Sequence, residues 1–416
     1  MLRHELATDW AALEALTPEW DRLLASSRHN LVMRGPTWSL AWWRVFGGGE
    51  GRKARVVTFR RGSELVGVVP LLSRRTNGLC RLELFGTGEP ECDEVCAEHL
   101  GFVVAPGEEQ AVTRSFSALL RDDALGPWDQ LDLVALSGDD TMGPLLCEAL
   151  RGSGRLGFGV AGGAPFARLP STWASYLSSL SSSQRQRVTR TLTAFERWTG
   201  GDHALVFAAD QRELARGLGI LERLHSERWQ AEGRPGAFAS PRFRTFHRLV
   251  APKLFDRGEL ELGWLLVRGR PVAAVYNLLC NGAVRFYQSG RIAHGPTGVS
   301  LGIVTHLYAM QRAIAAQRSE YDFLGGVGRY KLELCHDVRP LLRLMVSRRS
   351  VVAELQRATR LAGRAIRFWR SAAVQGPPAE EAPPLRVVPG TELPSNDTRH
   401  DPTVPAIALK SASRAR

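Results

Sequence analysis

A chain of 416 residues with 44% apolar content has material for two or three domains and more than one core, which excludes a fibrous or wholly disordered protein. The formal net charge is +12, but between Leu341 and Arg370 eight arginines face only Glu354, so the excess is concentrated in one segment and argues against a nucleic-acid-binding protein. No apolar run approaches the ~18 residues of a membrane span. Glu5, Asp9, Glu14 and Glu19 interrupt the opening stretch, so no secretory signal is expected and the expected location is the cytoplasm.

Six scattered cysteines suit reduced thiols better than a disulfide framework. Cys92, Cys96 and His99, with Cys80 upstream, lie close together in sequence. Their spacing is not that of a zinc finger and no second ligand pair follows, so no metal is expected. Lysine is nearly absent: Lys53, Lys253, Lys331 and Lys410 are the only four among 54 basic residues, which draws attention to each.

Leu13, Leu16, Trp20, Leu23 and Leu24 recur at helical spacing, and Trp38 to Phe46 follow Pro36 as a second helix. Ala54 to Arg60 and Leu65 to Leu72 flank Arg61-Gly62-Ser63 as a hairpin, then Leu82 to Phe85 reads as a strand leading into the acidic, glycine-rich loop Gly86 to Glu94. Phe116 to Leu120 and Asp132 to Leu136 continue the alternation, and this first half is expected to end near Gly163.

The second half, 164–347, repeats the order. Trp173 to Leu180 and a basic stretch from Ser183 to Trp198 open it, and two more helices are expected over Leu218 to Trp229 and Phe243 to Phe255. Leu260 to Val267, Val272 to Leu279 and Ala283 to Gln288 form an antiparallel meander with turns at Arg268-Gly269-Arg270 and Asn281-Gly282. The hairpin sequences VVTFRRGSELVGVVPLL and GWLLVRGRPVAAVYNLL share a slot in the two halves and suggest a duplication. A basic amphipathic helix over 348–371 follows, with an apolar stripe opposite Arg357, Arg360, Arg364 and Arg367 that is a candidate for peripheral membrane contact through 348–370. Residues 372–416 have the Pro-, Glu- and Ser-rich composition of a disordered tail.

Chemistry is expected after the meander. Gly295, Pro296 and Gly298 make a flexible loop, Val299 and Ser300 lead into a helix over Leu301 to Ala316, and Gly302 keeps its first turn small. A glycine loop entering a helix offers free backbone N–H groups and the positive dipole end to a phosphate. The following run, EYDFLGGVGRYKLELC, delivers Asp322 on a short strand and then Tyr330 and Lys331. The basic stretch with Arg185, Arg187, Arg190 and Arg197 is a candidate contact for an anionic acceptor such as a sugar nucleotide.

Taken in order, WASYLSSLSSSQRQRVTRTL, LHSERWQAEGRPGAF, GRPVAAVYNLLCNGAVRFYQSG, GVSLG and YDFLGG with its Tyr-Lys pair resemble GNAT-superfamily acyltransferases of the CelD-like type, associated with cellulose and exopolysaccharide synthesis and related to FemAB peptidyltransferases. The resemblance covers about 170–331. It implies an α/β fold of tandem GNAT-like domains, each a mixed, mainly antiparallel sheet flanked by helices.

It further implies transfer of an acyl group from acetyl-CoA or acyl-CoA, used as co-substrate with no permanently bound cofactor. The acceptor would be an amine or hydroxyl, of the sugar, sugar-nucleotide or polysaccharide-precursor kind. Backbone amides near Tyr287, Ser289 and Gly290 would hold the thioester carbonyl. The base would be Asp322 or His294, the acid Tyr330 or Tyr287, with Lys331 as a charge stabiliser. His225, Arg228 and Trp229 match an H-x-x-R-W stretch that would line the acceptor groove. Aminoacyl transfer from charged tRNA and a non-catalytic CoA- or partner-binding role are the alternatives.

Overall fold

The structure, a computed structural model, describes residues 2–348. The amphipathic helix expected over 348–371 and the tail expected over 372–416 lie outside the described residues, Arg348 excepted.

The chain begins with β1 (Arg3–Ala7) and α1 (Trp10–Ser26), whose first turn is capped by Asp9 accepting from the Ala12 N–H at 2.9 Å. The stripe Leu13, Leu16, Trp20, Leu23 and Leu24 is buried, as its helical spacing requires. Next come α2 (Pro36–Phe46), β2 (Lys53–Arg61), β3 (Glu64–Thr76), β4 (Leu79–Leu84), the short β5 (Val103–Val104), α3 (Glu109–Arg121), β6 (Gln130–Ser137) and α4 (Met142–Ala149). Strand β7 (Arg155–Arg168) contains residue 163 and leads to α5 (Trp173–Ser179), α6 (Ser182–Thr199), β8 (His203–Phe207), α7 (Gln211–Ala231) and α8 (Pro241–Asp256). The meander is β9 (Leu260–Val267), β10 (Arg270–Cys280) and β11 (Ala283–Arg291). Asn281 and Gly282 turn β10 into β11 with φ of 51° and 71°, the left-handed pair that a two-residue hairpin needs. α9 (Leu301–Ala315), β12 (Glu320–Asp322), α10 (Arg329–Leu332) and β13 (Asp337–Ser347) complete it.

All strands join one 13-stranded sheet in the order β1-β2-β3-β4-β6-β13-β7-β12-β11-β10-β9-β8, with β5 beside β3. This order is a mirror of itself about the β13–β7 seam. In each half the last two strands run parallel, β4 with β6 and β11 with β12, while the hairpins are antiparallel. The hairpins β2–β3 and β9–β10, whose sequences are similar, occupy equivalent places counted from the two edges.

The seam is a reciprocal exchange. β7 follows the first half's last helix yet pairs with β12, from Phe166↔Asp322 to Arg168↔Glu320. β13 follows the second half's elements yet pairs with β6, from Leu341↔Ser137 to Ser347↔Gln130. The two exchanged strands also pair with each other from Asp337↔Phe166 to Ser347↔Arg155. A single apolar cluster runs through both halves, from Leu13, Trp20 and Trp38 to Phe246, Leu254 and Trp264. The architecture is α/β, a mixed and mainly antiparallel sheet flanked by helices, as expected.

Candidate functional site

β11 and β12 pair over only three residues, Ala283↔Glu320 to Arg285↔Asp322. β12 then stops, while β11 continues to Arg291. A register shift places Tyr287 as an extra residue on β11, because Tyr276 faces Gln288 and Asn277 faces Phe286. Such a bulge re-aims the strand beyond it. The two parallel neighbours therefore part, and β11 leaves Phe286 to Arg291 with no β12 partner.

The chain returns from β11 through residues 292–300 to α9. Ser300 stands at the cap position, but no side-chain hydrogen bond caps the helix and no acidic residue occupies its first turn. The first N–H groups of α9 thus have no intrahelical acceptor, and the dipole there is uncompensated. Gly298 has φ of +80°, a left-handed conformation that glycine adopts freely. Beyond Gly298 and Gly302 there is open space where a side chain would sit, and Gly295 meets only Leu301 and the Val299 carbonyl at ordinary contact distance. This is a small-residue rim around an exposed helix start.

The first half's counterpart, α3, differs. Glu109 occupies its first turn and Glu109 Oε2 accepts from the Gly107 N–H at 2.8 Å. Glu108, just before it, pairs with Arg61 at 2.6 Å. No side chain caps α3 either, but two carboxylates stand at its start, where they would repel a phosphate.

On the other face of β11, α7 packs very closely. A Cβ at Gly290 would stand 2.6 Å from the His225 backbone nitrogen and 2.9 Å from the Leu221 carbonyl, so only glycine admits the helix here. His225 Nδ1 donates to the Ser289 carbonyl at 2.9 Å, and its Nε2 accepts from the Ala237 N–H at 3.2 Å. Burial, opposed by the bond to Ser289, holds this imidazole below its ordinary pKa, hence neutral. His225 and Gly290 therefore dock α7 on β11 rather than touch an acceptor. Arg228 lies over the Trp229 ring at 5.0 Å and reaches Glu232 at 3.3 Å; Glu232 also pairs with Arg291 at 3.6 Å. These groups gather at the open end of β11. Arg185 is elsewhere: it donates to the carbonyls of Leu177, Ser178 and Leu180 and so closes the C-terminus of α5.

The residues expected to move protons are mostly committed to partners. The Tyr287 hydroxyl donates to the Val95 carbonyl at 2.6 Å and accepts from His247 Nε2 at 3.1 Å; burial raises it well above the ordinary range. Asp322 is fully buried. One oxygen accepts from the Leu324 N–H at 2.8 Å, and the other accepts from Arg339 at 2.8 Å and stands 3.1 Å from His99 Nε2. Burial pushes this carboxyl up, but His99, Arg285 and Arg339 outweigh it and hold the group below its usual value. Asp322 is thus a linchpin between the halves, not a base open to an acceptor.

Lys331 is likewise a clamp. Its Nζ donates to the carbonyls of Phe323, Leu324 and Gly325 at 2.8, 3.3 and 2.6 Å. Burial lowers its pKa despite Glu98 and Asp322 nearby. Tyr330 is more open, 37% exposed, and stacks on His306 with centroids 5.8 Å apart. Burial still raises its hydroxyl's pKa. His306, on α9, puts Nδ1 3.2 Å from the Tyr321 hydroxyl, and burial lowers it to about 3. His294 is exposed on the loop before Gly295.

Two residues that sequence reasoning passed over stand here. His306 shows only as a polar residue near the apolar face of α9. Glu98 arrives from the first half, on the long segment 85–108, where the cluster Glu89, Glu91, Asp93 and Glu94 in an arginine-rich chain is the available signal. Its carboxylate accepts from the Gly325 N–H, so a side chain at Gly325 would collide with it. Burial pushes Glu98 up to about 7, against the pull of the Gly325 N–H and Lys331. Cys96 and Cys92, on the same segment, are exposed and carry free thiols.

Comparison with known proteins places this geometry. Residues 182–332 match the family model described as acetyltransferase (GNAT) domain. Among solved structures, a conserved protein of unknown function from Bacteroides thetaiotaomicron aligns at 13% identity and TM-score 0.51, covering 84% of this chain and 100% of its own. FemX aligns at 11% identity and TM-score 0.51, covering 80% and 96%. The C-terminal domain of a putative lysylphosphatidylglycerol synthetase from Agrobacterium fabrum aligns at 10% identity and TM-score 0.50, covering 83% and 96%. At these identities the likeness is one of fold. No curated protein matches. What the chain shares with known proteins is therefore an acetyltransferase (GNAT) domain match over residues 182–332 and a common fold.

Proposed function

We propose that the second half transfers an acyl group, an acetyl group in the simplest case, from acyl-CoA directly to an amine or hydroxyl. The observation that carries this reading is the uncapped start of α9 behind the rim Gly295, Gly298 and Gly302, beside the unpaired end of β11. A CoA pyrophosphate would be held by the N–H groups of Ser300 to Ile303, aided by the helix dipole, the Val299 N–H being engaged by the Pro296 carbonyl at 3.2 Å. The thioester would lie along β11 near Ser289, with its carbonyl polarised by strand N–H groups that β12 does not use. Arg228 and Arg291 would meet an anionic portion of donor or acceptor.

An acceptor in polysaccharide or cell-envelope synthesis follows from the sequence resemblance to CelD-like enzymes. Aminoacyl transfer is the second reading, supported by the fold likeness to FemX, which carries fold alone.

Calorimetric titration of acetyl-CoA into the full chain tests the donor site. Gly302 has ordinary helical geometry and open space beside it, so Gly302→Glu leaves the fold intact while placing a carboxylate at the anion site. Its affinity for acetyl-CoA should fall ~100-fold or more, from lost access and charge repulsion. Equal affinity in wild type and variant would remove the site from α9.

A further inference from the structure

An attacking amine or hydroxyl must lose a proton, and Asp322, Tyr287 and His225, buried groups of the second half that the sequence put forward, are engaged. Both Asp322 oxygens hold donors, the Tyr287 hydroxyl is bonded on both sides, and both His225 nitrogens are used. We propose that Glu98, brought across by the first half's loop, is the catalytic base of the second half's site, an inference that rests on the acyl-transfer reading above.

The loop is built for delivery. Twenty-four residues, 85–108, separate β4 from α3, whereas nine, 292–300, separate β11 from α9 in the other half. The added chain crosses to the second half: Asp93 accepts from the Ser240 hydroxyl at 2.6 Å, Val95 accepts from Tyr287 at 2.6 Å, and His99 meets Asp322. Behind Glu98 the loop is locked. Its own N–H points at Met33 Sδ at 3.0 Å, and buried Arg34 donates to the carbonyls of His99 and Leu100 at 2.7 and 3.1 Å.

The carboxylate is thereby set against the loop that Lys331 clamps. Oε2 takes the Gly325 N–H, and among the described residues Oε1 has no hydrogen-bond donor. The charged and titratable groups around it are Lys331 on α10, Asp322 on β12, Tyr287 on β11, and Glu94 and Cys96 on its own loop. Lys331 alone is cationic, and burial with the neighbouring acids sets the carboxyl near neutrality, where a base is most effective. In the step, the acceptor's N or O bonds to the thioester carbon as its proton passes to Oε1. The C–S bond then breaks, its electron pair leaves on the CoA thiolate, and Glu98 returns the proton to sulfur or solvent.

Glu98→Gln keeps an acceptor for the Gly325 N–H and removes only the base, so it separates catalysis from structure. Acetyl-CoA loss, with water as acceptor, is followed by thioester absorbance from pH 5 to 9. Wild type should rise with pH around a midpoint near 7. Glu98→Gln should run ~100-fold slower or less, with a flat profile and acetyl-CoA affinity unchanged within about threefold. Melting temperature gives a readout free of turnover. A carboxyl whose folded pKa is raised holds its proton longer folded than unfolded, so wild type loses stability as pH rises from about 4.5 to about 7. Glu98→Gln should therefore gain in melting temperature relative to wild type as pH rises from 5 to 8. Unchanged turnover and pH profile with intact binding would overturn the role of Glu98, as would a melting difference that does not vary with pH. Failure of wild type to bind acetyl-CoA at all would instead overturn the donor reading beneath it.

Discussion

Asp322 and Lys331 show how far a residue's type and position can be read. Both stand where the sequence places them, at a strand end and after a glycine run, and both lie at the junction of β12 with the following loop. Their surroundings differ from the expectation: His99 and Arg339 stand against Asp322 from distant chain, and three carbonyls surround the Lys331 ammonium. The scarcity of lysine marks the position without revealing that its charge points inward. Lys331→Ala should therefore act first on stability. It strips three carbonyls of their donor and should cost about 3 kcal/mol in chemical denaturation, with acetyl-CoA affinity retained. A variant of full stability with lost turnover would return Lys331 to the chemistry.

At the scale of elements, the legible parts are those with a clear period. The amphipathic α1 and α9 and the meander β9–β11 fall close to their expected bounds because alternation and helical spacing are written in apolar residues. β7 and β13 carry no such pattern. β7 reads RLGFGVAGGAPFAR, too rich in glycine to alternate, and β13 is dotted with arginines that sequence alone assigns to a basic surface. In the fold Arg339 meets Asp322 and Glu320, and Arg343 meets Asp132, so these charges are paired within the sheet. The glycine loop before α9 is legible in the sequence as a flexible helix entry, and its anion-binding role is the proposal made above. The contrast with α3 lies in charge: Glu109 stands in its first turn, while α9 has no acidic residue there. The proposed donor site is placed at α9 on that contrast.

For the whole molecule, the exchange of β7 and β13 makes the two halves one folding unit. Each half's sheet is completed by the other's strand, and the seam pairs from Asp337↔Phe166 to Ser347↔Arg155 with one register shift, between Leu341 and Leu342. Scanning calorimetry of the full chain should show a single transition for the two halves. Two separate transitions would mean that the seam carries little stability. The first half supplies β13 with a partner and Glu98 with a scaffold, and the function proposed above puts one donor site in each chain, at the start of α9. Hydrogen exchange with and without saturating acetyl-CoA tests that claim most directly. Amides of Ser300 to Ile303 should slow on binding, and those of Gly107 to Ala111, at the start of α3, should not change. Unchanged exchange at 300–303, or slowing at 107–111 instead, would contradict it.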